Sequence, residues 1–308
     1  MKIEEVLVVG AGVMGREVAL QCAMFGYRTT VYDVSREALS EARAIIDLTM
    51  LDLAGTYVPD TASAIRSRLY YSRDLEEAAA SADLVSENVP EDPELKAKVF
   101  AQLGAVAPPH AILTTNTSSI VPSVFAHASG RPERMVAMHF HKTVWISNIV
   151  DIMPHPGTNP ALLEVLAGFA RSIGQIPIVL QKEIRGYVFN SMQWAYLWQA
   201  LALWSSGAAS FEDIDRAWMI AERSGHGPFG AMDFVGLDTI HGVTAHWAEV
   251  LEDDIARTSG RKLKAELVDR GRLGVKTGVG FYRYPAPAFE DPRFIAPSGH
   301  AAVLPGSN

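Results

Sequence analysis

The fold is decided by an apolar run and a glycine turn near the start of the chain, which read Val6–Val9 and then Gly10, Ala11, Gly12, Val13, Met14 and Gly15. Four apolar residues, three of them valine, are typical of a strand that is buried on both faces. Helical spacing follows up to Gly26, and a second strand is predicted over Thr29–Tyr32, ending at Asp33. This order of elements predicts the first half of a dinucleotide-binding sheet.

Each part of the turn has a physical role. Gly10 permits the tight turn, Gly12 lets a pyrophosphate approach the backbone, and Gly15 lets the helix pack closely on the strand. The helix N-terminus adds free N–H groups and the positive end of its dipole. Asp33 lies 18 residues after Gly15, close to the ~20 expected for the acid that binds the ribose 2′-hydroxyl. A carboxylate there repels a 2′-phosphate, which favours NAD, although nearby Arg36 leaves NADP as an alternative.

The alternation of strands and helices continues to residue 183. Further strands are predicted at Leu84–Glu87, Ile112–Thr115, Met135–Phe140, Ile149–Met153 and Ile176–Leu180. Helical spacing is found at Arg36–Leu53, Glu94–Val106 and Ala161–Ile173. The pattern predicts an α/β fold over residues 1–183, with a Rossmann-type doubly wound parallel sheet covered by helices on both faces.

Residues 184–308 have a different pattern, because strand signals are absent. The segment 186–206 is apolar almost all the way round, and a helix without a polar face must be covered on every side. We therefore expect an all-helical C-terminal domain for substrate binding and dimerisation, whose excess apolar surface forms a homodimer interface. Burial within a monomer is the alternative. The tail after Tyr284 is rich in Pro, Gly and Ala and is expected to be loosely held.

The composition of the chain argues against several classes of function. The net charge of −8 and the pI of about 5.6 give no overall basic character of the kind that nucleic-acid binding requires. The single cysteine, Cys22, excludes an intramolecular disulfide framework and a thiolate zinc site, and we predict no metal. No apolar run reaches the roughly 18 residues that cross a bilayer, and a signal peptide is not recognised. We expect a cytoplasmic protein whose partner is a small molecule rather than nucleic acid or a membrane.

Polar side chains stand where the predicted strands end. Ligands bind at the carboxyl ends of parallel strands, so Glu87, Asn116 and His139 are expected on the cofactor side. His139 suits the proton transfer that accompanies hydride transfer, because histidine titrates near neutrality. His141 lies two residues on, so an extended chain points both rings to the same side. Asp151, in the next strand, is the nearest acid that could hold an imidazole in one tautomer.

Seven segments resemble the L-3-hydroxyacyl-CoA dehydrogenase family and occur in the family's order. They are Gly10–Gly15, Glu87–Lys96, Asn116–Ser119, Met138–His141, Gly186–Asn190, Gly227–Thr239 and Lys276–Tyr282. The spacing of 21 residues from Ser118 to His139 is also the family's. Residues 144–148, Val-Trp-Ile-Ser-Asn, look more like the diketoreductase-like branch, whose members act on free oxo-acids and esters.

The resemblance implies an NAD-dependent dehydrogenase of the EC 1.1.1 type that interconverts a 3-hydroxy compound and its 3-oxo form. His139 would be the general base, and Ser118 and Asn190 would bind the substrate and stabilise charge on its reacting oxygen. Because Asn190 belongs to the helical domain, the site would close only when the two domains meet. The predicted cofactor contacts beyond the glycine turn and Asp33 are Glu91, Lys96, Asn116, Ser118 and Lys276.

Three departures from the family bear on catalysis and on the substrate. The family pairs its histidine with a glutamate, whereas this chain has Asp151, which is shorter by one methylene. A hydrogen bond between Asp151 and His139 therefore needs a backbone shift or a bridging water, or it is lost. Lys142 replaces a family asparagine and is expected to pair with a substrate carboxylate, a solvated lysine being the alternative. Residues 44–65 contain no Lys or Arg, although the phosphates of coenzyme A require basic partners. A small free acid or ester is therefore predicted in preference to a CoA thioester.

Three other hypotheses remain open. The first is a true 3-hydroxyacyl-CoA (3-hydroxybutyryl-CoA) dehydrogenase of fatty-acid metabolism. The second is a β-hydroxyacid dehydrogenase related to 6-phosphogluconate dehydrogenase, whose catalytic lysine would fall at Gly186. The third is an NAD-binding structural or sensor protein with weakened catalysis, which the changes at Asp151 and Lys142 favour.

Overall fold

The computed structural model describes residues 2–58, 60–250 and 252–296 of the chain, which fold into two compact units. The first unit comprises Met1–Phe189 and the second Asn190–Asn308. The division that the sequence predicts, after residue 183, lies six residues earlier.

The first unit is built on an eight-stranded sheet with the strand order β3-β2-β1-β4-β5-β6-β7-β8. The strands are β1 Glu5–Val9, β2 Arg28–Tyr32, β3 Leu69–Ser72, β4 Leu84–Glu87, β5 Ile112–Thr115, β6 Met135–Phe140, β7 Ile149–Pro154 and β8 Ile176–Val179. The doubly wound α/β class is confirmed. The predicted parallel pairing is wrong at one pair of strands, because β6 and β7 run antiparallel. The link of eight residues between them is too short for the crossover that a parallel pair needs.

Helices cover both faces of this sheet, as the apolar pattern of β1 requires. Leu7 and Val9 join one hydrophobic cluster, whereas Val6 and Val8 join another. The helices are α1 Val13–Met24, α2 Arg36–Leu53, α3 Ala62–Arg66, α4 Leu75–Ala79, α5 Pro93–Val106 and α6 Ala161–Ser172. The start of α5 is fixed by Asp92, whose carboxylate accepts hydrogen bonds from two backbone N–H groups of the first turn.

The second unit is helical, and its described residues contain no strand, which confirms the predicted all-helical domain. Its helices are α7 Val188–Ser205, which begins two residues before the division, α8 Phe211–Glu222, α9 Pro228–Val235, α10 Leu237–Val250 and α11 Asp254–Glu266. None of the described helices is long and apolar enough to cross a membrane. Phe289 is buried in the aromatic core of this unit, so the prediction of a loosely held tail is wrong for residues 285–296. Residues 297–308 lie outside the described part of the chain.

Candidate active site

The glycine turn has the geometry that a bound pyrophosphate requires. Gly10 has a φ of +99°, and a Cβ at Gly15 would lie 1.8 Å from the Gly10 carbonyl oxygen, so glycine is needed at both positions. At Gly12 an added Cβ would meet nothing within 4 Å, so the turn is open beside the first residues of α1, Val13 and Met14. The open backbone and the helix N-terminus together fit the phosphates of a dinucleotide.

Asp33 stands against this turn, directly after β2. One carboxylate oxygen accepts a hydrogen bond from the backbone N–H of Ala11 at 2.8 Å, and the other accepts from Ser35 at 2.9 Å. The acid predicted to bind the ribose is therefore beside the glycines, and its negative charge disfavours a 2′-phosphate. The residues of the turn and Asp33 fit NAD.

Lys96 and Glu87 form a buried ion pair at the end of β4. The Lys96 ammonium lies 2.9 Å from Glu87 Oε1, and both side chains are almost inaccessible. The ammonium also contacts the Val89 carbonyl at 3.3 Å and Glu91 Oε2 at 3.4 Å. The resemblance predicted a cofactor contact for Lys96. That role stays a prediction, and it would require the ammonium to give up one of these acceptors.

Glu91 organises the loop that follows β5. Its Oε1 accepts hydrogen bonds from the Thr117 hydroxyl at 2.5 Å and from the backbone N–H groups of Ser118 and Ser119 at 3.0 and 2.8 Å. Burial opposes its ionisation, but the Thr117 hydrogen bond and the charge of Lys96 outweigh burial, so the pKa of Glu91 lies below its ordinary value. An ionised Glu91 therefore holds the backbone that presents Ser118.

His139 lies between Ser118 and Asp151. Its Nε2 is 3.2 Å from Ser118 Oγ, and its Nδ1 is 3.3 Å from Asp151 Oδ2. His139 and Asp151 are direct partners in the antiparallel pairing of β6 and β7, and the short aspartate reaches the ring directly, so the expected loss of this hydrogen bond is wrong and no bridging water is needed. Burial lowers the pKa of His139 below its ordinary value, although the hydrogen bond to Asp151 raises it in part. The imidazole is therefore neutral near pH 7 and can accept a proton.

Tyr187 completes the surroundings of His139. From the sequence alone, it belongs to the segment Gly186–Asn190 and no role is predicted for it. The two rings stack 4.5 Å apart with an angle of 5° between their planes. The Tyr187 hydroxyl donates to the Thr117 carbonyl at 2.7 Å, and the residue has a φ of +50°. A tyrosine held in the left-handed region ties the ring of His139 to the loop of Ser118.

The remaining predicted residues are distributed as follows. Asn116 joins two strand ends, because its amide donates to Asn88 at 2.7 Å and accepts from the Phe140 N–H at 2.8 Å. Lys142 is exposed and makes no hydrogen bond or ion pair with any residue that the structure describes. Asn190 and Lys276 belong to the second unit, where Lys276 pairs with Asp238 at 2.5 Å. Their predicted roles stay predictions.

Comparison with known families covers nearly all of the described chain. A family model described as 3-hydroxyacyl-CoA dehydrogenase, NAD binding domain, matches residues 5–184. A second, described as 3-hydroxyacyl-CoA dehydrogenase, C-terminal domain, matches residues 186–284.

Relatives and solved structures are similar over the same length. A probable 3-hydroxyacyl-CoA dehydrogenase of Caenorhabditis elegans is 31% identical, covering 92% of this chain and 93% of its own. The 5-formyl-3-hydroxy-2-methylpyridine 4-carboxylate 5-dehydrogenase of Mesorhizobium japonicum is also 31% identical, covering 92% and 91%. The structure of a diketoreductase, described as acting on dicarbonyl compounds, has 35% identity and a TM-score of 0.86, covering 92% of this chain and 100% of its own.

Proposed function

The chain belongs to the 3-hydroxyacyl-CoA dehydrogenase family, and from this membership we propose that it interconverts a small 3-hydroxy acid or ester and its 3-oxo form. It is an NAD-binding oxidoreductase that acts on CH–OH groups. The observation that carries the proposal is the continuous line of contacts from Ser118 Oγ through the His139 ring to Asp151 Oδ2.

His139 acts as the base in this proposal. The Asp151 carboxylate is an acceptor only, so the ring proton stays on Nδ1 and the lone pair of Nε2 is directed towards Ser118. Nε2 takes the proton of the substrate hydroxyl during oxidation and returns it during reduction. Bound NAD would accept the hydride that leaves the carbon bearing this hydroxyl.

Ser118 donates a hydrogen bond to the reacting oxygen. Its hydroxyl is within reach of His139, and its backbone is fixed by Glu91, so the donor is oriented before substrate binds. Asn190, at the start of the second unit, is proposed as the other donor to this oxygen.

The charges around α2 support a substrate without coenzyme A. Residues 44–65 carry no Lys or Arg, and the two arginines that follow are already paired. Arg66 lies 2.9 Å from Asp47, and Arg68 lies 2.5 Å from Asp60. Guanidinium groups engaged with carboxylates of the same segment are poor partners for the phosphates of a thioester cofactor.

Lys142 supports an anionic substrate. It follows His139 by three residues and has no partner among the described residues, so its ammonium is available to a substrate carboxylate. We propose this pairing as the feature that distinguishes free acids from esters.

The test is a panel of 3-oxo acids, 3-oxo esters and their CoA thioesters, with NADH consumption as the measurement. Turnover of a free acid or ester, abolished by His139→Ala, is the expected result. If acetoacetyl-CoA exceeds the free acid by orders of magnitude in kcat/KM, the thioester is the substrate instead, as the name of the Caenorhabditis elegans relative favours.

A homodimer through the helical domain is proposed as the working assembly. Its support is the exposed apolar surface of α7, where Met192 is 62% and Leu203 is 39% exposed. Sedimentation velocity of the wild type and of Met192→Asp tests it, since the variant is expected to sediment as a monomer. A cytoplasmic location stays a prediction.

A further inference from the structure

We propose that His141 is a positioning residue for the reaction, because it holds the Asp151 carboxylate in place against His139. The inference rests on the proposed function, in which His139 is the base. It concerns a residue that follows β6 and has no assigned role.

Strand geometry brings the two histidines together. Side chains two residues apart in an extended chain point to the same side, so the rings of His139 and His141 lie on the same face of the sheet. Asp151 stands opposite His139 in the register, and its Oδ2 is 3.3 Å from His139 Nδ1 and 3.1 Å from His141 Nε2. One carboxylate oxygen therefore accepts from both imidazoles.

The other oxygen of Asp151 explains why the second imidazole matters. Asp151 is 1% exposed, and its Oδ1 has no hydrogen-bond partner within the described ranges of the chain. With His139 as its only donor, the carboxylate could rotate about its Cβ–Cγ bond, and either oxygen could face the ring. A second donor on Oδ2 selects one orientation and supports the ionised form in a buried place.

The ring of His141 is itself held in the required plane. It packs edge-on against Phe189 with the centroids 5.5 Å apart, and against His139 at 4.9 Å. Its side chain is 12% exposed, so water has little access to compete for the carboxylate. Nε2 must carry the ring proton in order to donate to Asp151, which assigns a tautomer to His141 as well as to His139.

The same three side chains could also ligate a metal ion, because their ligand atoms all lie within 4.8 Å of one another. The N–O separations of 3.3 and 3.1 Å fit hydrogen bonds, and they also fit ligand atoms around one ion. Metal content therefore becomes one outcome of the test.

The kinetic test compares two substitutions in the full chain. His141→Phe keeps a ring of similar size and removes the donor, whereas His141→Gln keeps an N–H donor near the position of Nε2. We expect His141→Phe to lower kcat about tenfold with KM nearly unchanged, and His141→Gln to retain most of kcat. An equal loss in both variants, or no loss in His141→Phe, would overturn the proposal.

His110 provides a matched control. Its Nε2 lies 3.0 Å from Asp83 Oδ1, so His110→Phe breaks an imidazole–carboxylate pair at the start of β4, the end of the strand opposite Glu87. We expect kcat to be unchanged. A loss equal to that of His141→Phe would mean that the measurement detects general damage, which contradicts a specific role for His141.

Nitrogen NMR of the histidine rings separates this inference from the proposed function, because it needs no substrate. We expect Nδ1–H at His139 and Nε2–H at His141 in the wild type. Nδ1–H at His141, or Zn²⁺ bound in equimolar amount by the purified protein, would overturn the inference. Absence of turnover on every substrate, together with the expected tautomers, would refute the proposed function and leave the positioning of Asp151 standing.

Discussion

Both units bury carboxylates, but they satisfy them in different ways. In the second unit, Asp215 accepts from the backbone N–H groups of Phe229 and Gly230 and from the Tyr282 hydroxyl, so both of its oxygens are bonded. In the first unit, Asp151 gives one oxygen to two imidazoles and leaves the other without a partner among the described residues.

The difference extends to the charge of the two acids. Burial raises the pKa of Asp215 to about 6. The hydrogen bonds from its donors, two backbone N–H groups and the Tyr282 hydroxyl, lower this pKa only in part. Burial acts on Asp151 in the same direction, but the hydrogen bonds from His139 and His141 outweigh it, and the pKa of Asp151 falls below its ordinary value. A buried carboxylate that accepts from backbone N–H groups stabilises the fold. One that accepts from imidazoles determines which ring nitrogen carries the proton.

We expect the greatest loss of activity from replacing Asp151, the carboxylate beside the proposed base. Asp151→Asn substitutes an amide whose NH₂ group can donate to His139 Nδ1, which moves the ring proton to Nε2 and removes the base. By analogy with the aspartate of the Ser-His-Asp triad in serine proteases, kcat is expected to fall by up to ~10⁴. The unfolding temperature should change little. Steady-state kinetics and thermal unfolding of the same preparation provide the two measurements. Retention of full kcat would show that Asp151 does not set the tautomer.

The same exchange of aspartate for asparagine in the second unit should affect stability instead of catalysis. Asp215→Asn turns one acceptor oxygen into a donor that faces the donors at Gly230 and Tyr282. The free energy of unfolding is expected to fall by about 1–3 kcal/mol, with kcat of the folded enzyme unchanged. Urea unfolding and active-site titration measure the two quantities. If kcat falls while stability is kept, the division between structural and catalytic acids is wrong.

A weaker effect is expected on the preference for free acids over esters. Lys142→Asn removes an exposed ammonium, so kcat/KM for a free 3-oxo acid should drop about fivefold while that for its ester is unchanged. Lys182→Asn, which alters another exposed lysine of the first unit, is the control. Equal kcat/KM ratios of acid to ester in the wild type and Lys142→Asn would exclude the pairing.

Much of the fold could be predicted, because apolar runs and turn residues determine it locally. The bounds of β4 at Leu84–Glu87 and of β5 at Ile112–Thr115 agree with the predicted strands. β3, Leu69–Ser72, was missed because only Leu69 is buried, and the alternation is too short to be distinctive. The antiparallel turn from β6 to β7 was also missed, although the length of the link contains that information.

The sequence predicted which residues form the site, but it did not predict all of their contacts. The spacing of His139 and His141 indicated a shared side, but sharing of one Asp151 oxygen depends on the register of β6 against β7, which no local pattern specifies. The burial of Lys96 against Glu87 likewise depends on where α5 packs on the sheet. Tyr187 lies far along the chain from Thr117, and such long-range contacts leave no periodic signal.

The pH dependence of kcat/KM, measured in both directions of the reaction, is the decisive test that His139 is the base. Because burial lowers its pKa, oxidation should be constant above a value lower than the ordinary 6.5 and should fall tenfold per pH unit below it. Reduction needs the protonated ring, so it should fall as the pH rises through the same value. This pKa should equal the one obtained by NMR titration of His139. An oxidation rate that does not change through that pKa would contradict it.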